Sequence, residues 1–137
     1  MSIFEDHRSA FMALLNGAGK PAAIGIYNDK IPTTVVPPYV RVYFSANRPP
    51  GADGNALDGT SKTLMFRAIC HCVGGNDTAA LAVAQWVETA LLDVRPTVAG
   101  RSSGLIRQDS ALDPNPDEST GQLVVDVIQT YRLTTEP

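Results

Sequence analysis

The sequence predicts an α+β fold in which a mostly antiparallel sheet of about four to five strands is covered on one face by two helices. Three observations carry this prediction. Two stretches, one near the start and one over 77–94, repeat apolar residues at helical spacing; several others alternate apolar and polar residues with period two; and clusters of glycine and proline separate them. A chain of 137 residues is expected to form one domain, 1–137, and a domain of this size buries roughly 68% of the surface its unfolded chain would expose.

The first helix is announced by Ser2-Ile3-Phe4-Glu5, a capping box in which the Ser2 hydroxyl accepts from the Glu5 backbone N–H and the Glu5 carboxylate reaches back to Ser2. Ile3, Phe4, Ala10, Phe11, Leu14 and Leu15 then share one side, and Gly17, Gly19 and Pro21 stop the helix. Ala22 to Tyr27 reads as a short strand followed by a turn at Asn28-Asp29-Lys30. Pro32, Pro37 and Pro38 keep Ile31 to Pro38 extended, because proline removes an amide donor and pushes the preceding residue out of helical geometry. Tyr39 to Ser45 is the next strand, with Tyr39, Arg41, Tyr43 and Ser45 on one face and Val40, Val42 and Phe44 on the other.

Asn47 to Thr60 holds Pro49, Pro50, Gly51, Gly54 and Gly59 with Leu57 as its one large apolar residue, so it buries too little surface to offset its ordering entropy. It predicts a mobile loop over about 46–60. A long strand from Ser61 to Val73 places Leu64, Phe66, Ala68, Cys70 and Cys72 opposite Met65, Arg67, Ile69 and His71. After Gly74-Gly75, Asn76 or Asp77 caps a second helix whose Ala80, Val83, Ala84, Val87, Ala90, Leu91 and Val94 form the apolar stripe, with Trp86 at its border and Pro96 beyond its end. Leu105 to Ser110 is a strand. Residues 111–121 form a second polar, mobile loop, and Gln122 to Thr134 closes the fold antiparallel to the strand before that loop. Leu123, Val125, Val127, Tyr131 and Leu133 face inward there, Asp126, Thr130 and Arg132 outward, and Thr135 to Pro137 is expected to fray.

Composition narrows the function. Eleven basic against 14 acidic residues give a net charge of -3, with no charged block, so the clustered cationic face that nucleic-acid binding requires is not expected. The N-terminus carries Glu5 and Asp6 where a signal peptide would be basic, and no apolar run approaches the ~18 residues of a membrane span. The chain is expected to be made and folded in a cytosol.

Catalytic chemistry finds little to work with. His7 and His71 are the only histidines; neither lies beside a strained nucleophile, and His7 near an apolar helix face reads as a packed side chain. Cys70 and Cys72 share one strand face while His71 points to the other, a poor metal geometry better explained by small core thiols. Asp113, Asp117 and Glu118 could attract a hard cation, but their spacing misses the calcium-loop pattern. The glycines of 47–60 lack the Gly-Lys-Ser/Thr of a phosphate loop. No enzyme activity, cofactor or metal is expected.

The arginines are more suggestive. Arg41, Arg67 and Arg132 lie on strand faces opposite the apolar ones, as does Asp126. This set is either a solvated outer face or a surface that pairs with copies of the chain, where arginine and aromatic residues are enriched. The candidate contact residues are Tyr39, Arg41, Tyr43, Arg67, Asp126 and Arg132 on the strands, with Arg48 and Asp53 in the first polar loop and Asp113 and Asp117 in the second.

Four stretches in order extend this reading: Val36-Pro37-Pro38-Tyr39-Val40-Arg41-Val42, the strand Leu64 to Val73, the helix end and turn Ala90 to Gly100, and Val127 to Thr135 with Tyr131-Arg132-Leu133-Thr134. In these the chain resembles the tail terminator proteins of long, non-contractile-tailed bacteriophages, the lambda type. The resemblance covers nearly the whole chain through degenerate motifs. It implies an α+β virion protein, made in the host cytoplasm, that assembles as a hexameric ring on the head-proximal end of the tail tube. Such a ring halts tube polymerisation and gives the head-completion connector a surface to join. Its partners would be itself, the tail tube protein and that connector, with no membrane and no nucleic-acid sequence recognition. A neighbouring neck or head-completion protein, or more distantly a small α+β ligand-binding domain, stays open as the alternative. Deleting Gly51 to Gly59 should leave the thermal unfolding midpoint nearly unchanged and abolish ring or tube binding; normal assembly by that variant would remove the 46–60 loop from the contacts.

Overall fold

The computed structural model describes residues 2–17, 19–28, 30–31, 35–47, 63–118 and 123–137. Helix α1 (Ile3–Leu15) starts on Ser2, whose hydroxyl accepts from the Glu5 N–H at 3.1 Å. The second arm of the expected capping box is not formed: the Glu5 carboxylate turns to Arg8, 2.9 Å from Nη2. Arg8 also donates to Asn28 Oδ1, and the Asn28 amide donates to the Val42 carbonyl, so one polar chain ties α1 to two strands.

The described strands are β1 (Gly25–Asn28), β2 (Tyr39–Asn47), β3 (Leu64–Gly74), β4 (Ser102–Ser103), β5 (Arg107–Ala111), β6 (Asn115–Asp117) and β7 (Val124–Glu136). They form one sheet in the order β1-β2-β3-β7, with β4, β5 and β6 sharing the far edge of β7. All pairs are antiparallel except β1 with β2, which run parallel. Helix α2 (Asp77–Leu91) begins at Asn76, whose side chain accepts from the Ala79 N–H at 2.8 Å.

The sheet's two faces follow from the register. Val40, Cys72 and Val127 stand abreast, as do Val42, Cys70 and Gln129, then Phe44, Ala68 and Tyr131, then Ala46, Phe66 and Leu133. Both helices lie on this inner face. The small Ala68, Cys70 and Cys72 leave room for α2, whose Ala80, Val83, Ala84, Val87 and Leu91 are buried there. Helix α1 closes the other end, with the Phe66 ring 5.4 Å from both Phe4 and Phe11, 5.2 Å from His7 and 5.3 Å from Phe44. Cys70 and Cys72 are core thiols: burial pushes Cys70 up to about 12 and Cys72 well above its ordinary value, so both stay protonated.

Several boundaries differ from expectation. Helix α2 stops at Leu91 rather than Val94, because Asp93 takes a left-handed backbone (φ 60°) and its N–H is drawn to the Ile106 carbonyl at 2.9 Å. The tertiary bond wins over the apolar stripe. Residues 22–24 precede rather than belong to β1. The strand expected from Leu105 starts at Arg107, after the Ile106 N–H has bonded the Val94 carbonyl, and the two-residue β4 adds a pairing not foreseen. The expected polar loop over 111–121 contains β6, which pairs with Val124–Asp126 despite Pro116 because it sits on the edge. Leu123 lies before β7 and is exposed rather than core-facing. Residues 48–62, most of the first polar loop, lie outside the described residues.

The last strand also runs further. Thr135, expected to fray, is completely buried. Arg101 donates to its Oγ1 from Nε at 2.8 Å and to its carbonyl from Nη2 at 3.0 Å. With Oγ1 accepting from arginine, its own proton goes to His7 Nε2 at 2.7 Å, which leaves Nδ1–H to donate to the Ile3 carbonyl at 2.7 Å. His7 is therefore a neutral, packed histidine. Burial first, and then the Arg101 charge, lowers its pKa below 6.5.

Two outcomes follow from this packing. A Cβ at Gly74 would stand 2.3 Å from the Ala80 nitrogen and 2.6 Å from the Ala79 carbonyl carbon, all backbone, whereas Gly75 has open space around it. Gly74→Ala should cost about 1–3 kcal/mol in urea unfolding, and Gly75→Ala should cost far less. For His7, the lowered folded-state pKa means the unfolded chain binds the extra proton more readily. Its contribution is thus fully present above pH 6.5 and declines as the pH falls below that value. Urea midpoints measured from pH 8 to 5 should fall in that window for the wild type, and the part due to this residue should vanish in His7→Gln.

Candidate contact surface on the open sheet face

The face away from the helices collects the remaining strand side chains. Tyr39, Val73 and Asp126 form its first row, then Arg41, His71 and Ile128, then Tyr43, Ile69 and Thr130, then Ser45, Arg67 and Arg132. No described helix covers it. The alternation of β2, β3 and β7 places Tyr39, Arg41, Tyr43, Arg67, Asp126 and Arg132 together on one surface, as the sequence predicted. Asp117 joins at the β6 edge, and Asp113 is exposed on the link between β5 and β6. Arg48 and Asp53 lie outside the described residues.

At the start of β7 the surface is mixed and partly sheltered. His71 Nδ1 is 2.8 Å from Asp126 Oδ2, the Tyr43 ring stands edge-on to the imidazole at 5.8 Å, and the Arg41 guanidinium lies 4.7 Å over the Tyr43 ring. Asp126 Oδ1 is shielded from solvent and has no hydrogen-bond partner among the described residues. Burial, and after it the Asp126 charge, raises the Tyr39 phenol above its ordinary value. Tyr39, Arg41, His71 and Asp126 line a cleft of about 190 Å³ together with Asn115 and Asp117. Among the described residues no group of three or more His, Cys, Asp or Glu is placed to hold a metal ion.

The far end is an arginine row. Arg67 is the cross-strand partner of Arg132, and Arg132 is the partner of Arg107, so three cations stand side by side. Like charges directly opposite one another destabilise a sheet. A β-bulge relieves this: between Gln108 and Ser110 the chain inserts Asp109, which accepts from Arg67 Nε at 3.2 Å and Arg132 Nη1 at 2.7 Å. Arg107 is paired with Asp93, the residue in the left-handed turn. Sequence reasoning passed over Asp109, Arg107 and the His71–Asp126 pair. The alternation assigns a face to each residue of a strand, but the pairs depend on cross-strand register and on the bulge, which leave no local signal.

No protein-family model and no curated protein sequence matches the chain. Among solved structures it is similar to a chain of the "Virion of native gene transfer agent (GTA) particle", with a TM-score of 0.56 and 13% sequence identity over 99% of this chain and 92% of that one. At that identity the likeness is one of fold, and it extends over essentially every element described above.

Removing the bulge carboxylate tests the arginine row. Asp109→Ala should destabilise by about 1 kcal/mol in low salt, less in high salt, and Arg132→Ser in the same background should recover part of the loss. A salt-independent loss with no recovery would mean that the bulge backbone, not the charge, holds the edge.

Proposed function

We propose that this chain is a structural virion protein, acting by binding rather than by chemistry. In the finer form of the proposal, copies assemble as a ring, six in the family it resembles, on the head-proximal end of a phage tail tube. The ring ends tube growth and offers the head-completion connector its landing surface. The observation that supports a virion role is the fold match over 99% of the chain to a chain of a gene transfer agent virion. The tail-terminator motifs Val36 to Val42, Leu64 to Val73, Ala90 to Gly100 and Val127 to Thr135 favour the finer form. The two histidines are held in structural roles, His7 in the core and His71 against Asp126. On this reading Tyr39, Arg41, Tyr43, Arg67, Asp113, Asp117, Asp126 and Arg132 meet neighbouring subunits or the tube.

Negative-stain imaging of the purified protein with and without tail-tube protein tests this. Six-fold rings, or tubes capped and shortened in its presence, are expected. Tubes of unchanged length with no rings would overturn the tail-end role, and attachment to filled heads instead of tubes would move the protein to the neck.

A further inference from the structure

The charges of this molecule are sorted by end. Around the start of β7 lie Asp126, its neighbour Asp117 on β6, Glu118 and Asp113 beside them, and Asp77 at the start of α2, which follows directly from the end of β3. Arg41 and His71 stand among them, with Lys30 beside Ile31 of the same cleft and Lys20 on the Ile24 carbonyl ahead of β1. Around the finish of β7, six residues or roughly 20 Å further along the strand, stand Arg67, Arg107 and Arg132 in one row. Arg95 on the Ser103 carbonyl and Arg101 on Thr135 stand there too. Asp93, Asp109 and Glu136 share that end, with Asp6 behind them on α1.

The arginine row is not spent on its internal partners. Arg67, Arg107 and Arg132 each give one nitrogen to Asp109 or Asp93 and keep side-chain exposures of 36%, 53% and 47%. Each guanidinium carries five N–H donors in a planar fork, a set suited to carboxylates. A phosphate backbone would meet Asp93 and Asp109 among the arginines, and like-charge contacts of that kind oppose it. The opposite end of this same chain presents three exposed carboxylates, those of Asp113, Asp117 and Glu118.

We infer that the arginine row Arg67–Arg132–Arg107 of one copy docks on the Asp113–Asp117–Glu118 end of a second copy, a head-to-tail contact. Such a contact uses two different patches on each molecule, so it repeats from copy to copy and closes into a ring when the rotation allows. The inference rests on the proposed ring-forming function and names the surfaces that would join its subunits.

Complementary charge reversal tests it. One variant carries Arg107→Glu and Arg132→Glu, the other Asp113→Lys and Glu118→Lys, all at exposed positions; circular dichroism and thermal melting check that each is folded. Sedimentation velocity in low salt should show the wild type forming oligomers as concentration rises toward roughly millimolar. Each variant alone should associate at least ~10-fold more weakly. An equimolar mixture should recover association beyond that of either variant alone, because the intact acidic end of one meets the intact arginine row of the other and the two reversed patches are themselves complementary. If the reversed arginine variant does not fold, Arg107→Gln with Arg132→Gln takes its place and should likewise weaken association. Wild type that stays monomeric across the range, variants that associate as the wild type does, or a mixture that associates no better than either variant alone would each overturn the contact. So would a 30-base-pair duplex DNA that binds the wild type through these arginines while self-association is untouched by either variant. Tubes left uncapped by a wild type that self-associates through these ends would overturn the tail role and leave the contact standing.

Discussion

The pairing of β3 with β7 is the constraint on which the rest of the structure depends. Eleven residue pairs, from Leu64↔Thr135 to Gly74↔Val125, put the two longest strands side by side in the middle of the sheet. Because side chains alternate with period two, this single register decides both faces at once. It brings Phe66, Ala68, Cys70 and Cys72 under the helices together with Leu133, Tyr131 and Val127, and in the same stroke lines Arg67 up with Arg132. A slip of one residue would bury the arginines and expose the core. Core and open face are therefore two sides of one specification.

Much of this was legible in the residues. The alternation in β2 and β3 and the apolar stripe of α2 identify the covered face, and the Ser2 and Asn76 caps mark the helix starts. What escaped depended on partners distant in sequence. Asp93 ends α2 through Ile106 and Arg107, Thr135 is held by His7 and Arg101, and Asp109 acquires two arginines through a bulge. Each is a choice between a local preference and a tertiary bond. The strand face of Arg67, Arg132 and Asp126 could be read from the sequence; that His71 takes Asp126, and Asp109 takes both arginines, required the register.

The sheet's edges bear on how copies could meet. Among the described residues its far edge is built of three short strands, with a bulge at Asp109, Pro116 in β6 and Pro114 in the link before it, and its near edge is the four-residue β1. Short, bulged and proline-bearing edges are poor templates for adding a strand. The proposed association through charged side chains at the two ends of the sheet would not use that route, and it would carry a dependence on ionic strength that backbone pairing lacks.

The bond between His7 and Thr135 joins residues 128 positions apart. Helix α1 leaves the ribosome early, yet its buried partner belongs to the last strand, and Phe66 with its ring of aromatic neighbours lies between them in the chain. The surface under the first helix is therefore completed only when β7 has paired with β3. Phe4 and Phe11 can meet Phe44 and Phe66 before β7 is made, but His7 has no Thr135 to bond until then, so the buried polar anchor of α1 is among the last contacts to form.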